Sequence, residues 1–550
     1  MSVVFSGMFI LLGARVFYLQ VFKKNEILSN RRTFSRIKKL RGDIKARGGQ
    51  IIASSSRGAK LFLKKDKVLT ARETAELYKT AAIVVSKDNG GSARGIVSGF
   101  LSPGEQRKIK DILNPRDFSF ISAQSRNYFD REIFAPVCGF TNYEDNGAAG
   151  VEYKFNDYLE GDTGEIMEVD ATGNLFLSND PDALHARGND VYLTLDYILQ
   201  KFFYDEVKRS AENYGAKGGY GIIMSPKTGE ILAAVFCVRG GGDNFLKNPL
   251  VADSFEPGST FKIVTVSAAL ENKTVSPEDK FFCEKGSFEF AGITIRDHEP
   301  YEWLTVKDII RFSSNIGAGK IAARLGSNEL YRMARAFGFG CQTGIKLPGE
   351  TRGQLKRVND WEKTSLHYIA FGQEVAATPI QMAQAFSVIA NDGVLIQPKI
   401  LSCVRNPNGK TINRPRSVRI RRVISKETAL TVKEMFYNVV ESGTAEKVRI
   451  PGWKICAKTG TAQKYDSKLR AYSEENYFSS LGGFLPMDDP RFVIFIGLDE
   501  PRGGYYGGLV CSEAFKNIAK KIIDYYGVPP DVKESDLLDA GKKKIVKNET

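Results

Sequence analysis

The segment Thr260-Phe261-Lys262-Ile263-Val264-Thr265-Val266-Ser267-Ala268-Ala269-Leu270 has a helical pattern and is apolar on nearly every face. A helix without a polar face has to be buried, so the chain must build further layers around it. The neighbouring patterns supply those layers. Val191 to Leu195 reads as a strand entering a helix over Tyr197 to Asn213, and Gly219 to Met224 and Glu230 to Val235 read as strands around the turn Ser225-Pro226-Lys227-Thr228-Gly229. Helical patterns follow at Phe261–Leu270, Val306–Leu325, Ile380–Asn391 and Lys426–Glu441, and a strand returns at Arg491 to Leu498. Strands flanking a helical middle predict one α/β or α+β domain over residues 191–530, with helices packed on a largely antiparallel sheet.

Upstream, residues 70–190 mix helix-period segments such as Thr70 to Val85 with turns such as Asp145-Asn146-Gly147 and Gly161-Asp162-Thr163-Gly164. Val3 to Gly13 is apolar except for Ser6, and the stretch runs on to Phe22 before Lys23-Lys24. Twenty-two helical residues reach about 33 Å, enough for a bilayer core, so residues 1–22 are expected to form a single membrane anchor with Arg15 snorkelling to an interface. A cleaved signal peptide fits less well, because a basic leading region and a small-x-small cleavage site are both missing. The end of the chain, with Lys542-Lys543-Lys544, is expected to be a flexible tail over 531–550.

Charge narrows the partners. The net charge is +14, but residues 1–67 hold 16 basic and three acidic side chains, a local +13, which leaves about +1 for the rest. A nucleic-acid groove would sit in the body of a binding domain, and this body is nearly neutral, so no nucleic acid is expected. The three histidines (His185, His298, His367) form no HxxxH group, and no two of the seven cysteines lie closer than 45 residues. Neither a local metal site nor a dense disulfide framework is expected, and a hydrolase or transferase built on this chain would use a base other than histidine. Cys456 stands out only because it lies two residues before Lys458.

Ser259 and Lys262 are one helical turn apart at the start of the buried helix. A lysine stripped of water there loses its preference for the ammonium form and can take a hydroxyl proton. Ser-x-x-Lys alone is weak evidence, since Ser35-Arg36-Ile37-Lys38 also matches it. Ser-x-Asn occurs at Ser125-Arg126-Asn127 and at Ser313-Ser314-Asn315, and Lys-Thr-Gly at Lys227-Thr228-Gly229 and at Lys458-Thr459-Gly460. Order decides among them: only one copy of each falls in the sequence Ser-x-x-Lys, Ser-x-Asn, Lys-Thr-Gly with a helix, a helical region and a strand as hosts. The first Lys-Thr-Gly is read as turn chemistry.

That ordered set resembles the penicillin-interacting serine enzymes. Its flanks, Phe255-Glu256-Pro257-Gly258 before Ser259, Ile316-Gly317 after Asn315 and Thr461-Ala462-Gln463-Lys464 after Gly460, resemble the class B penicillin-binding proteins, monofunctional peptidoglycan transpeptidases. Arg41-Gly42-Asp43-Ile44 with Arg47 and Gly49, and Gly150-Val151-Glu152 through Gly161, resemble that family's two pedestal motifs, with Ala46 departing from the usual Asp. Phe337-Gly338-Phe339-Gly340 with Pro348-Gly349-Glu350, and Glu500-Pro501 with Tyr505-Tyr506-Gly507-Gly508, resemble the septal branch.

The resemblance implies an α+β transpeptidase fold, an antiparallel sheet with helices on both sides, over 191–530. An elongated mixed α/β pedestal over 23–190 and the anchor would precede it. It implies Ser259 as nucleophile, Lys262 as its base, Ser313 as proton relay, Asn315 orienting Lys262 and the substrate amide, and Lys458 keeping the pocket positive. Thr459 and Thr461, with Gly460 between them, would bind the substrate carboxylate, and the backbone N–H groups of Ser259 and Thr461 would hold the oxyanion. The implied partners are peptidoglycan stem pentapeptides, β-lactams, the membrane, a glycan polymerase and division-complex proteins, with no cofactor. Peptidoglycan lies outside the cytoplasmic membrane, so the catalytic domain is expected there, single-pass anchored, although the positive-inside rule taken alone would place it inside. The alternatives are an elongation-type transpeptidase, a carboxypeptidase or β-lactamase, and a catalytically silent β-lactam receptor or scaffold.

Overall fold

The computed structural model describes residues 40–63, 69–81, 100–142, 144–160, 187–240, 247–466 and 471–531, with short pieces at 7, 12–18, 33–36, 95–96, 166–169 and 175–176. Most of the expected anchor and residues 532–550 of the expected tail lie outside the described residues, as does the turn over 161–164. No described helix is long and apolar enough to cross a membrane.

The first part of the chain is organised by β1 (Ile44–Lys45), β2 (Ile51–Leu63), β3 (Phe118–Tyr128) and β4 (Asp190–Leu193). Strands β2 and β3 run antiparallel from Ala53↔Tyr128 to Leu63↔Phe118, and β1 joins β2 to β4. The far end of β2 has its own small core of Leu61, Leu63, Leu77, Leu101, Ile109, Leu113 and Phe118. The near end, with Ile44, Ala46, Ile52 and Ala53, belongs to the main core. Between the two motifs quoted above lies a buried ionic knot: the Nε atoms of Arg41 and Arg126 each donate to one oxygen of Glu152 at 2.7 Å. Arg126 belongs to the early Ser-x-Asn copy, which is therefore occupied by structure. Ala46, where the motif usually has Asp, is fully buried. The local acid is instead Asp43, which pairs with Arg187 at 2.7 Å and accepts from Ser54 at 2.8 Å.

Beyond β4 come α1 (Tyr197–Asn213), β5 (Gly218–Met224), β6 (Ile231–Val238), α2 (Lys262–Glu271), α3 (Val306–Arg311) and α4 (Asn315–Leu325). They are followed by α5 (Pro379–Ala390), β7 (Leu401–Arg405), α6 (Lys426–Ser442), β8 (Cys456–Asp466), β9 (Ala471–Leu485), β10 (Phe492–Asp499) and α7 (Ser512–Tyr526). Five strands form an antiparallel sheet in the order β6-β5-β10-β9-β8, while β7 pairs with β4 and ties the two sheets' regions together. Two consecutive glycines of β9 show that helices cover both faces. A Cβ on Gly482 would lie 2.2 Å from the ring of Phe386 in α5, and one on Gly483 would lie 3.0 Å from the ring of Phe515 in α7. Successive strand residues point to opposite faces, so each aromatic fills the space that one missing side chain leaves.

Helix α2 is buried as its composition requires, with residues 262 to 269 all inside. Two expectations change. Ser259 sits in a 3-10 turn, Gly258–Phe261, and the α-helix begins only at Lys262. The single helix expected over 306–325 is broken into α3 and α4, because Ser313 takes a left-handed conformation (φ 64°) and Ser314 caps α4 by accepting from Gly317 N–H at 2.9 Å.

Candidate active site

A 3-10 turn has three residues per turn, so positions i and i+3 eclipse. Ser259 and Lys262 are thereby superposed more closely than α-helical spacing would place them, and Nζ of Lys262 lies 2.8 Å from Oγ of Ser259. The same nitrogen is 2.6 Å from the carbonyl oxygen of Ser313, 2.8 Å from Oδ1 of Asn315 and 3.2 Å from Oγ of Ser313. Lys458 enters from β8, its Nζ 2.8 Å from Oγ of Ser313. All five residues expected to carry chemistry thus meet around the Lys262 amine and the Ser313 hydroxyl.

Burial pushes Lys262 down to about 7, against a smaller opposing pull from Asp297. Lys458 is also held well below its ordinary value, by burial first and by the neighbouring Lys262 second. A neutral amine has two hydrogens and one lone pair. The Ser313 carbonyl and Asn315 Oδ1 can only accept, so they take both hydrogens and leave the lone pair facing the Ser259 hydroxyl. Asn315 is oriented for this because its Nδ2 donates to the carbonyl of Arg296 at 3.0 Å.

Sequence reasoning missed Asp297. Its carboxylate accepts from Ser314 Oγ and Asn315 N at 2.5 Å and from Ile316 N at 3.0 Å, pinning the strained Ser313 turn at the amino end of α4. It follows the hairpin Ser287–Phe290/Ile293–Arg296, and no local pattern advertises it. Thr444 was missed too: its hydroxyl and that of Thr459 are 2.8 Å apart. Thr461 Oγ1 accepts from the N–H of Gly507 at 3.1 Å. The glycines of the Tyr505–Gly508 segment are explained by this approach, because a Cβ on Gly507 would lie 2.4 Å from the Gly460 carbonyl and one on Gly508 would lie 2.3 Å from that of Thr444. Gly460 itself has no room for a side chain beside Ser480 Oγ and the Pro257 carbonyl, at 2.6 and 2.8 Å.

Ser259, Ser313, Asn315, Thr459 and Thr461 line one groove of about 870 Å³. One wall is an aromatic ladder, Tyr477 on Tyr505 on Tyr506, with centroid spacings of 4.3 and 4.4 Å, and Tyr506 Oη meets His298 Nδ1 at 3.2 Å. Cys456 is not part of the groove: its buried thiol donates to the carbonyl of Lys433 at 3.3 Å, and burial raises it well above the ordinary thiol value. The early Lys-Thr-Gly forms the tight turn between β5 and β6, where Gly229 has φ 76° and Lys227 pairs with Asp489.

Residues 219–520 match the penicillin binding protein transpeptidase domain family. Penicillin-binding protein PbpB of Mycolicibacterium smegmatis is 32% identical over 430 residues, 74% of this chain and 65% of that protein, so the chain spans slightly under two thirds of this relative's length. The probable peptidoglycan D,D-transpeptidase PenA of Neisseria meningitidis serogroup A is 28% identical over 510 residues, 89% of this chain and 85% of that one. Among solved structures, penicillin binding protein 3 of Mycobacterium tuberculosis complexed with aztreonam superposes with a TM-score of 0.70 at 26% identity, covering 90% of this chain and 98% of that chain. The family match takes in more than half of the chain, including the serine turn, the broken helix and the Lys-Thr-Gly strand, and this chain therefore belongs to the class B penicillin-binding proteins.

Proposed function

We propose that the protein is a peptidoglycan D,D-transpeptidase that crosslinks stem peptides through an acyl-enzyme on Ser259 during septal wall synthesis. The observation that carries this reading is the place of the Lys262 amine, 2.6 and 2.8 Å from two acceptor-only oxygens and 2.8 Å from the Ser259 hydroxyl, so that its lone pair is left for that hydroxyl. Lys262 takes the proton of Ser259 as Oγ attacks the penultimate D-alanine carbonyl, and the backbone N–H groups of Ser259 and Thr461 receive the oxyanion. The proton then passes from Lys262 through Ser313 Oγ, 3.2 Å away, to the departing D-alanine amine. Lys458 donates to Ser313 Oγ, which leaves the Ser313 hydroxyl hydrogen free to point toward the leaving group. An amine of a second stem attacks the ester and reverses these steps; water in its place gives a trimmed tetrapeptide. Thr459 and Thr461 hold the terminal carboxylate, and β-lactams acylate Ser259.

The reading extends to organisation. Residues 1–22 anchor the chain in the cytoplasmic membrane, 23–190 form a pedestal, 191–530 the catalytic domain on the outer side of that membrane, and 531–550 a tail. A glycan polymerase and division-complex proteins are its partners there. The septal assignment is supported by the Phe337–Gly340, Pro348–Glu350 and Tyr505–Gly508 segments.

Labelling with a fluorescent penicillin tests the nucleophile: wild-type protein is expected to label and Ser259→Ala is not, and label surviving the substitution rejects the assignment. Incubation with paired stem peptides is expected to yield crosslinked dimers; tetrapeptide alone rejects transpeptidation. A tagged copy is expected at the division site, and signal confined to the lateral wall rejects the septal role.

A further inference from the structure

The donor groove is unbalanced in charge. Its only acidic lining residue among those described is Asp297, whose carboxylate is already taken by three donors of the Ser313–Ile316 turn. Its lining includes two cations, Arg296 and Lys447, both exposed and neither with an ion-pair partner among the described residues. They stand at different points. Lys447 lies on the 3-10 turn Glu446–Val448, three residues after Thr444, whose hydroxyl meets that of Thr459. Arg296 ends the hairpin strand on the other wall, and its carbonyl receives the amide of Asn315.

Two unpaired cations facing a shared groove attract anions from solution and select among bound ones. If Thr459 and Thr461 hold the terminal carboxylate, Lys447 is the cation beside that carboxylate. Arg296 is then the cation beside the stretch of stem that passes Asn315 upstream of the scissile bond. We propose that Arg296 and Lys447 are specificity-determining residues, and that the groove selects donor peptides carrying an ionised carboxylate upstream of the terminal D-alanyl-D-alanine as well as the terminal carboxylate. This rests on the transpeptidase reading. The planar guanidinium of Arg296 suits two-point contact with a carboxylate, while the Lys447 ammonium acts as a point charge.

The test uses the whole protein and two pentapeptides that differ only at the upstream group, a free carboxylate in one and its primary carboxamide in the other. Wild type is expected to prefer the acid by about tenfold in kcat/KM, expressed in KM, the size of one charge-assisted hydrogen bond at a partly exposed site. Arg296→Gln is expected to bring the ratio to within about twofold and Arg296→Lys to retain part of it, since lysine keeps the charge and loses the fork. Lys447→Gln is expected to raise KM for both peptides alike and leave their ratio intact. Equal use of acid and amide by wild type, a ratio that survives Arg296→Gln, or a ratio that collapses only in Lys447→Gln would each overturn the proposal. Wild type labelled by penicillin at Ser259 but indifferent to the upstream group refutes this inference alone; wild type that takes no label at Ser259 refutes the transpeptidase reading beneath it.

Discussion

Nζ of Lys262 lies 2.8 Å from Oγ of Ser259 in a site that excludes water from the lysine, and burial brings that lysine down to about 7. An ammonium cannot accept the serine proton, so the reactive form is the neutral amine. The second-order rate of acylation by a β-lactam is therefore expected to rise with pH through about 7 and level off above it. Asp297 pulls the same lysine upward, so Asp297→Asn is expected to move the inflection to lower pH. It is also expected to lower the plateau, because one carboxylate holds the Ser314 to Ile316 turn. A stopped-flow pH profile of both proteins checks this; an unmoved inflection rejects Asp297 as the source of the field.

Glu256 offers a second titration, separable from the first. Burial raises it from 4.5 to about 7; its Oε1 accepts from Glu374 N–H at 3.0 Å and Tyr472 O–H at 3.1 Å, and its buried Oε2 has no hydrogen-bond partner among the described residues. Because the folded value lies above the unfolded one, the folded state binds more protons between them, and the associated stability is lost as pH rises through that window. The shift corresponds to roughly 3 kcal/mol at most. The depressed Lys262 and Lys458 work in the opposite sense over part of that range and are common to both proteins, so the expected signature is a difference: between pH 5 and 8 the stability of wild type is expected to fall relative to that of Glu256→Gln, which keeps an acceptor oxygen. Denaturant midpoints at both pH values measure it, and equal changes in the two proteins reject the role of Glu256.

The parts of the site that could be read from the sequence are those whose chemistry is local. Ser259 and Lys262 are three residues apart in one rigid turn, and Lys458 to Thr461 lie on one strand, so spacing holds each set together and chain order separates it from its second copy. The buried helix was legible for the same reason, since its all-round apolar pattern is its own evidence. Asp297 and Thr444 were not legible, because they reach their partners through a hairpin and a turn that only the folded chain brings near. Arg126 was obscured by a Ser-x-Asn match; its partner Glu152 lies 26 residues on, with no periodicity to connect them. The break at Ser313 was hidden because Val306 to Leu325 keeps a helical pattern across it, while the tertiary bonds of Asp297 hold the backbone out of the helix.

Glu152 is fully buried between two guanidinium groups, each 3% exposed. Removing the shared carboxylate leaves two buried cations unpaired, a change that costs about 3–5 kcal/mol in comparable buried pairs. Glu152→Ala is expected to lower the unfolding midpoint accordingly, whereas protein still folded at low temperature is expected to label with penicillin normally, since Glu152 is not among the residues lining the groove. A loss under about 1 kcal/mol, as for surface pairs, would show that the knot is solvated in solution.

The contact between Gly482 and Phe386 sets how closely α5 packs on the sheet. A methyl group on Gly482 would lie 2.2 Å from the Phe386 ring, inside any permitted contact, so Gly482→Ala must displace either the ring or the helix. Overpacking of this kind costs about 1–3 kcal/mol. Phe386→Leu alone removes buried ring volume and is destabilising in its own right. Together the two changes are expected to be less costly than their sum, because the space opened by leucine is where the new methyl group goes. A double-mutant cycle by urea unfolding should give a favourable coupling of about 1 kcal/mol or more, and additivity within about 0.5 kcal/mol rejects the contact as the reason for glycine.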